Sequence, residues 1–308
     1  MKAERAQNSV FQLIWKHRVV YSLLIPGLVW YTIFAYGPMG GLSLAFKTFR
    51  ASLGIWGSPW IGLYNFDNVF TDPAFMRSVW RTLNINFGRL IFQFPAPIII
   101  ALLLNEIRFL KTKKIFQTIL TFPHFLSWVV IASVLINFLA YNGLVNSIIM
   151  KMGLKSFNFL GNPGIFQPFL YITEIWKNAG WSAIIYLAAI AGIDMDQYEA
   201  AEIDGVNRFQ KIFRITIPNI VPTIIVMFIL TSGNLMTTGF DQIFNLSNPA
   251  VRNVSETIDM YIYRITFRGA TDFGFSTAVS LFRSTINLIL LLIADRGAKM
   301  MGSAGLIG

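Results

Sequence analysis

The sequence predicts an all-α integral membrane protein with six transmembrane helices and both termini cytoplasmic, and three observations lead there. The 308 residues are 55% hydrophobic and only 13% charged, about half the charge of an ordinary globular domain. Six apolar stretches, at residues 19–34, 81–104, 116–139, 169–190, 217–236 and 275–294, approach or reach the ~20 residues that a spanning helix needs. An even number of spans puts both ends on one side, and the basic residues say which side that is.

Lys and Arg resist translocation, so short loops rich in them stay inside. The expected inner segments carry Lys2, Arg5, Lys16 and Arg18 at the start, then Arg108, Lys111, Lys113 and Lys114 after the second span. Arg208, Lys211 and Arg214 lie between the fourth and fifth spans, and Arg296 and Lys299 at the end. The outer segments are longer yet carry fewer: Lys47, Arg50, Arg77, Lys151, Lys155, Arg252, Arg264 and Arg268. The formal net charge of +10 is mostly this topogenic signal, and no separate basic domain is set apart for a nucleic-acid backbone. The first stretch reads as an uncleaved span, because residues 31–36 offer no small-x-small cleavage site and further spans follow.

Pro95, Pro97, Pro218 and Pro222 are expected to break or bend their helices, as is Pro26 with Gly27 in the first span. Segment 37–77, rich in Gly and Trp, reads as turn-rich chain with aromatics at the headgroup level. Gly143, Gly153, Gly161, Pro163 and Gly164 punctuate the outer loop at 141–167, and the connection at 241–272 holds Met260, Tyr261, Ile262 and Tyr263 as a short helix or strand. The chain divides into 1–77 (inner segment, first span and outer loop), a core at 78–295 and an inner tail at 296–308.

Motifs that carry chemistry are missing. There is no G-x-x-x-x-G-K-[ST] phosphate loop, no G-x-S-x-G elbow, no H-E-x-x-H pair and no cysteine. His17 and His124 are the only histidines, and both read as structural rather than as metal ligands or proton carriers. No catalytic, cofactor-binding or metal residues are expected, so any ATP used is held, with Mg, by another polypeptide.

One polar loop stands out between the fourth and fifth spans. It reads Glu199-Ala200-Ala201, three residues that end on Asp204, Gly205, nine residues that include Phe209, then Ile215-Thr216-Ile217-Pro218. Good helix formers run from Asp196 to Ile203, a glycine follows that can turn the chain at positive φ, and a second helical segment puts Phe209, Ile212 and Phe213 on one face. Two short helices with a bend between them make a compact knob. Taken without its full spacing, the segment also fits an interfacial amphipathic hairpin with solvated Glu199 and Asp204.

With that spacing, the loop resembles the EAA loop of permease subunits of binding-protein-dependent ABC importers. Further segments extend the likeness: Gly37-Pro38-Met39-Gly40-Gly41, Trp60-Ile61-Gly62-Leu63-Tyr64-Asn65-Phe66, Phe94-Pro95-Ala96-Pro97, Phe122-Pro123-His124-Phe125 and Glu174-Ile175-Trp176-Lys177-Asn178. They are similar to the LplB-type branch of sugar-importer permeases, and together they cover nearly the whole chain. The resemblance implies a type I (MetI-like) permease fold in the bacterial cytoplasmic membrane. It implies a heterodimer with a second, related permease, two cytoplasmic ATPase subunits, and an extracellular solute-binding lipoprotein that delivers oligosaccharides or polysaccharide fragments. It places ATPase coupling in the loop at about 194–218, on Glu199, Ala200, Ala201, Asp204, Gly205, Phe209, Ile215 and Pro218. The family's usual Ile-x-Leu-Pro appears here as Ile215-Thr216-Ile217-Pro218.

A sugar path needs hydrogen-bonding groups and flat aromatic faces, and polar groups inside spans are costly unless they face water or a partner. Ser276, Ser280, Arg283 and Asn287 form one stripe of the sixth span, and Thr231, Asn234 and Thr238 one of the fifth. Glu174, Lys177 and Trp181 recur in the fourth, and Arg81, Asn84 and Gly88 in the second. Each such group serves equally well as glue between helices, or as a snorkelling cation near a span end. Mid-span Arg283 fits either a pore lining or an ion pair with the partner permease. Within the importer reading, the cargo alternatives are a glycerol phosphodiester or a monosaccharide. Outside it stand an ion-coupled secondary transporter and a membrane enzyme acting on lipid-linked sugars.

Overall fold

The computed structural model describes residues 15–237, 239–269 and 272–300. Lys2, Arg5, Thr238 and positions 301–308 of the tail lie outside the described residues. The described chain is all helical, with a lone antiparallel bridge between Lys47 and Trp60. It falls into two compact units, residues 1–69 with 272–281 and residues 70–271 with 282–308.

In the first unit, helix α1 (Arg18–Trp30) passes into a π turn (Tyr31–Tyr36) and a 3-10 helix (Gly37–Phe46). None of the α1 residues is buried, which for a helix apolar on every side marks a lipid-facing span. Pro26 sits inside α1 without ending it, so of the break or bend expected there the break does not occur. Segment 37–77 is more helical than its glycines suggested, with a turn at Gly54–Gly57 and helix α2 (Tyr64–Thr71). Gly54 and Gly62, both at φ 65°, supply the left-handed turns that other residues resist. Lys47 is buried, and its Nζ donates to the carbonyls of Ile55 at 3.0 Å and Trp56 at 3.1 Å.

The second unit opens with α3 (Pro73–Phe92), capped by Asp72, whose side chain accepts from the Ala74 amide at 2.7 Å. Pro95 starts α4 (Pro95–Asn105), the helix break expected of it. The expected third span at 116–139 is not one helix. Helix α5 (Leu110–Thr121) stops, a 3-10 turn holds Phe122–Phe125, Leu126 is extended, and α6 (Trp128–Leu139) begins under a Ser127 cap. Pro123 supplies no amide to the α5 ladder, and the Ser127 hydroxyl accepts from the Val130 amide at 3.3 Å, restarting the helix. Helix α7 (Leu144–Lys151) follows inside the expected loop, and Trp128–Lys151 together is long and apolar enough to span.

Helix α8 (Pro163–Ala191) is the axis of this unit. Its first half puts Phe166 and Leu170 into a core with Ile85, Ala132, Ile243 and Leu246, while its second half puts Ala183, Tyr186 and Ile190 into another with Ala101 and Ile220. Close approach is secured by small residues: a Cβ on Gly180 would overlap the Leu120 carbonyl, and one on Gly88 the Tyr171 hydroxyl. After α8 come α9 (Met195–Ile203), α10 (Arg208–Lys211), a π turn (Ile212–Thr216), α11 (Ile217–Gly233), α12 (Phe240–Leu246) and α13 (Ile258–Phe267). Helix α14 (Phe273–Met300) is the last. Among the described residues five helices are long and apolar enough to cross a bilayer, or six if α8 and α9, bent by 73°, count as one.

Candidate functional site

The polar loop is a folded knob. Asp194 caps α9 by accepting from the Asp196 amide at 3.1 Å. At the other end Gly205 takes φ 69°, its amide donates to the Glu202 carbonyl at 3.1 Å, and the Val206 amide donates to the Ala201 carbonyl at 2.9 Å. That pair of bonds is a Schellman stop, with glycine at the one left-handed position. Asn207 and Gln210 then close a reciprocal capping box that restarts the chain as α10.

Three side-chain links tie α9 to the chain beyond Gly205. Lys211 Nζ donates to Glu202 at 2.6 Å, Tyr198 and Thr216 share a hydroxyl hydrogen bond of 2.8 Å, and Asn219 donates to Gln197 at 2.9 Å. The Lys211 hydrogen bond, and then its charge, hold the Glu202 carboxyl below its ordinary range. The knob's outer surface carries large apolar side chains, with Ile203, Phe209 and Phe213 exposed at 88%, 76% and 66%, and exposed Glu199 and Asp204 have no side-chain partner among the described residues. Ala201 is buried beneath it. An exposed apolar patch around a charge marks a protein-binding surface.

The membrane part of the same unit holds a half-open cavity of ≈ 260 Å³. Asn86, Arg89 and Gln93 line it from α3 and its end, Ser182 and Tyr186 from α8, and Thr231 from α11. Arg89 Nη2 donates to Gln242 Oε1, and Gln242 in turn donates to the Leu170 carbonyl at 2.8 Å and to Thr173 at 2.9 Å. Behind it, Glu174 accepts from Asn178 at 2.5 Å, Asn178 meets His124 at 2.8 Å, and the His124 ring stacks on Trp181 at 4.6 Å.

Residues 93–300 match the family of binding-protein-dependent transport system inner membrane components. The chain belongs to that family. It is 39% identical over 306 residues to the polygalacturonan/rhamnogalacturonan transport system permease protein YteP of Bacillus subtilis (strain 168), covering 99% of this chain and 95% of that protein. It is 40% identical over 289 residues to Protein LplB of the same organism, covering 93% and 90%. A solved bacterial ABC transporter involved in the import of the acidic polysaccharide alginate matches with a TM-score of 0.87 at 36% identity, over 94% of this chain and 98% of that one. The alginate transporter in complex with an alginate pentasaccharide-bound periplasmic protein matches at 0.87 and 35%. The chain is thus a transport permease subunit, and ATP hydrolysis belongs to separate ATPase subunits.

The permease brings some of the sequence-derived path residues together and scatters others. Thr231 and Asn234 line the cavity. Asn287 lies just outside, accepting from the Met236 amide at 2.8 Å and donating to Thr237 at 2.9 Å. Asn84 faces a separate groove and donates to Gln167 at 3.1 Å. Trp181 is committed to the His124 stack, and Ser280, in the first unit, donates back to the Ser276 carbonyl at 2.9 Å. Arg283 pairs with Asp259 of α13 inside this chain. Sequence reasoning passed over Asn86, Arg89 and Gln93, although their spacing of i, i+3 and i+7 was there to be found.

Proposed function

We propose that this chain is one of two homologous permeases of an ATP-driven importer that takes up oligosaccharides or polysaccharide fragments. Its partners are the second permease, two cytoplasmic ATPase subunits holding ATP and Mg, and an extracellular solute-binding lipoprotein. It sits in the bacterial cytoplasmic membrane with both termini inside, and residues 78–295 form the permease core. The cargo class is supported by a relative named for polygalacturonan and rhamnogalacturonan transport and by a solved alginate importer.

The observation that carries the mechanism is the knob: a capped, cross-linked helical pair whose exposed face is Glu199, Ala200, Phe209 and Phe213. In this reading ATP closes the two ATPase subunits, the knob seated in one of them moves with it, and the spans open the cavity outward to receive the sugar. Hydrolysis resets the cavity inward. A partner shifts such an equilibrium only through its differential affinity for the two states, so the lever has to be rigid and well seated.

The chain has no cysteine, so Phe209→Cys places a single thiol on the knob. In the assembled transporter a short thiol cross-linker should join it to an ATPase subunit, and a membrane-impermeant thiol reagent added to intact cells should fail to label it. Labelling from outside would put the loop on the wrong face and end the importer mechanism.

A further inference from the structure

We propose that Arg89 recognises a carboxylate on the transported saccharide, so that the cavity selects acidic over neutral cargo. This rests on the importer reading and deepens it. Arg89 lies on the cavity wall with a buried Nε that has no hydrogen-bond partner, and no carboxylate lies within ion-pair distance among the described residues. Its protein partner is the neutral Gln242. Because the Gln242 amide nitrogen is already spent on Leu170 and Thr173, the residue acts as a strut that fixes the guanidinium without neutralising it.

Other shielded cations in the chain are answered differently. Arg283 holds Asp259, Arg264 holds Glu256 at 2.7 Å, and Lys47 is closed off by two carbonyls. Glu174 is the carboxylate whose field reaches Arg89, and it acts on Lys177 as well. One Glu174 oxygen already accepts from Asn178. Two cations therefore share one carboxylate in this layer, which leaves an excess positive charge beside a cavity inside the membrane. Glu174, whose second oxygen is buried without a hydrogen-bond partner, answers Arg89 only from beyond ion-pair distance, and a shielded cation so weakly paired gains when an anion arrives in contact. A guanidinium fork fits a carboxylate through two parallel hydrogen bonds. Asn86, Thr231 and Asn234 supply partners for hydroxyls, and the ring of Phe94 supplies a face for the sugar's C–H surface.

The test uses the complete transporter in proteoliposomes, with its binding protein outside and ATP available to the ATPases. The probes are trigalacturonate and its fully methyl-esterified form, which differ in charge. Wild type should favour the acid, and Arg89→Gln should lower the acid-to-ester uptake ratio by about tenfold or more, as expected for a lost charge-assisted pair. The same binding protein serves every variant, so its own selectivity cancels from the comparison. Gln242→Glu supplies the missing carboxylate from within the protein at nearly the same shape, and it should lower the ratio as Arg89→Gln does. An unchanged ratio in both variants overturns the inference. Equal uptake of acid and ester by wild type overturns it too while leaving the importer reading intact. Uptake of neither, with ATPase activity still stimulated by the binding protein, removes the uronate cargo on which the inference rests and leaves ATP-coupled import standing.

Discussion

Gly205 is where the coupling knob is most exposed to a single substitution. Its φ of 69° is the left-handed value that ends α9. No atom lies within 4 Å of the position a Cβ would take, so the penalty for a side chain is conformational and not a matter of space. Holding a non-glycine residue left-handed costs roughly 1–2 kcal/mol, with asparagine the best tolerated and β-branched residues the worst. Relaxing the turn instead gives up two hydrogen bonds, from Gly205 to Glu202 and from Val206 to Ala201, each worth ~0.5–1.5 kcal/mol. Either way the ratio of native to disrupted knob falls by a factor of roughly 5–30 for a loss of one to two kcal/mol.

Because the cause is φ alone, Gly205→Asn, Gly205→Ala and Gly205→Val should form a graded series. Asn should keep most uptake, Ala should lose part, and Val should lose uptake together with stimulation of the ATPase by the binding protein. All three should still insert in the membrane. Proteoliposome uptake and ATPase stimulation, read beside hydrogen exchange over residues 195–219, measure each step. Coupling retained by Gly205→Val, or Asn as damaging as Val, would refute the conformational account, the second outcome by showing that side-chain volume decides.

Further consequences concern packing and charge. Gly180→Ala should destabilise by ~1–3 kcal/mol, because its Cβ would overlap the Leu120 carbonyl; Gly27→Ala, with open space around it, should be neutral or slightly stabilising, both read by thermal unfolding in detergent. Arg283→Met leaves Asp259 unpaired and should cost up to about 3 kcal/mol, whereas Arg283→Met with Asp259→Leu should cost much less; equal losses would show that the pair itself contributes. Glu256 lies against Arg264 at 2.7 Å, Arg252 at 2.9 Å and Arg81 at 3.6 Å. Burial pushes its carboxyl up, but the hydrogen bonds from Arg252 and Arg264 outweigh that and hold it below the ordinary 4.5. Its contribution is therefore full above pH 4.5 and lost as pH falls through the lowered value. Glu256→Gln should lower the melting temperature at neutral pH, and the two proteins should converge on acidification below that point.

What was legible in the sequence was local. The stop at Gly205 and the apolar face of the knob are set by residues within a few positions of one another, so spacing and propensity suffice. The split third span had its own local signals in Pro123 and Ser127, but an uninterrupted apolar run hid them, because hydropathy averages over breaks that backbone hydrogen bonding does not. Arg89 was lost for a different reason. Two polar stripes run along α3, Arg81-Asn84-Gly88 and Asn86-Arg89-Gln93, and nothing within the helix says which faces the cavity. Packing decides that. Tyr171 of α8 lies over Gly88 and stacks on Phe92 at 5.7 Å, filling that side with an aromatic. Arg283 was likewise legible as a mid-span cation, while its partner Asp259 sat in the outer connection at 241–272, beside the segment read as a short helix or strand, where nothing local points to a mid-span partner.

The same geometry explains how a loop at one end of the spans would govern a cavity within them. Helix α8 carries Ser182 and Tyr186 on the cavity wall and ends at Ala191, about 14 Å further along at 1.5 Å per residue. The knob follows, and α11 leaves it at Ile217 to carry Thr231 back to the same cavity, about 21 Å on. Knob and cavity are thus joined by two helices, and the bonds from Tyr198 to Thr216 and from Gln197 to Asn219 tie α9 of the knob to the start of the α11 leg. A tilt imposed on the knob by a nucleotide-driven partner would move two facing walls together, with no chain of intervening contacts needed to carry it. Cutting those ties with Tyr198→Phe and Gln197→Ala should therefore loosen coupling while leaving Arg89 and its neighbours in place.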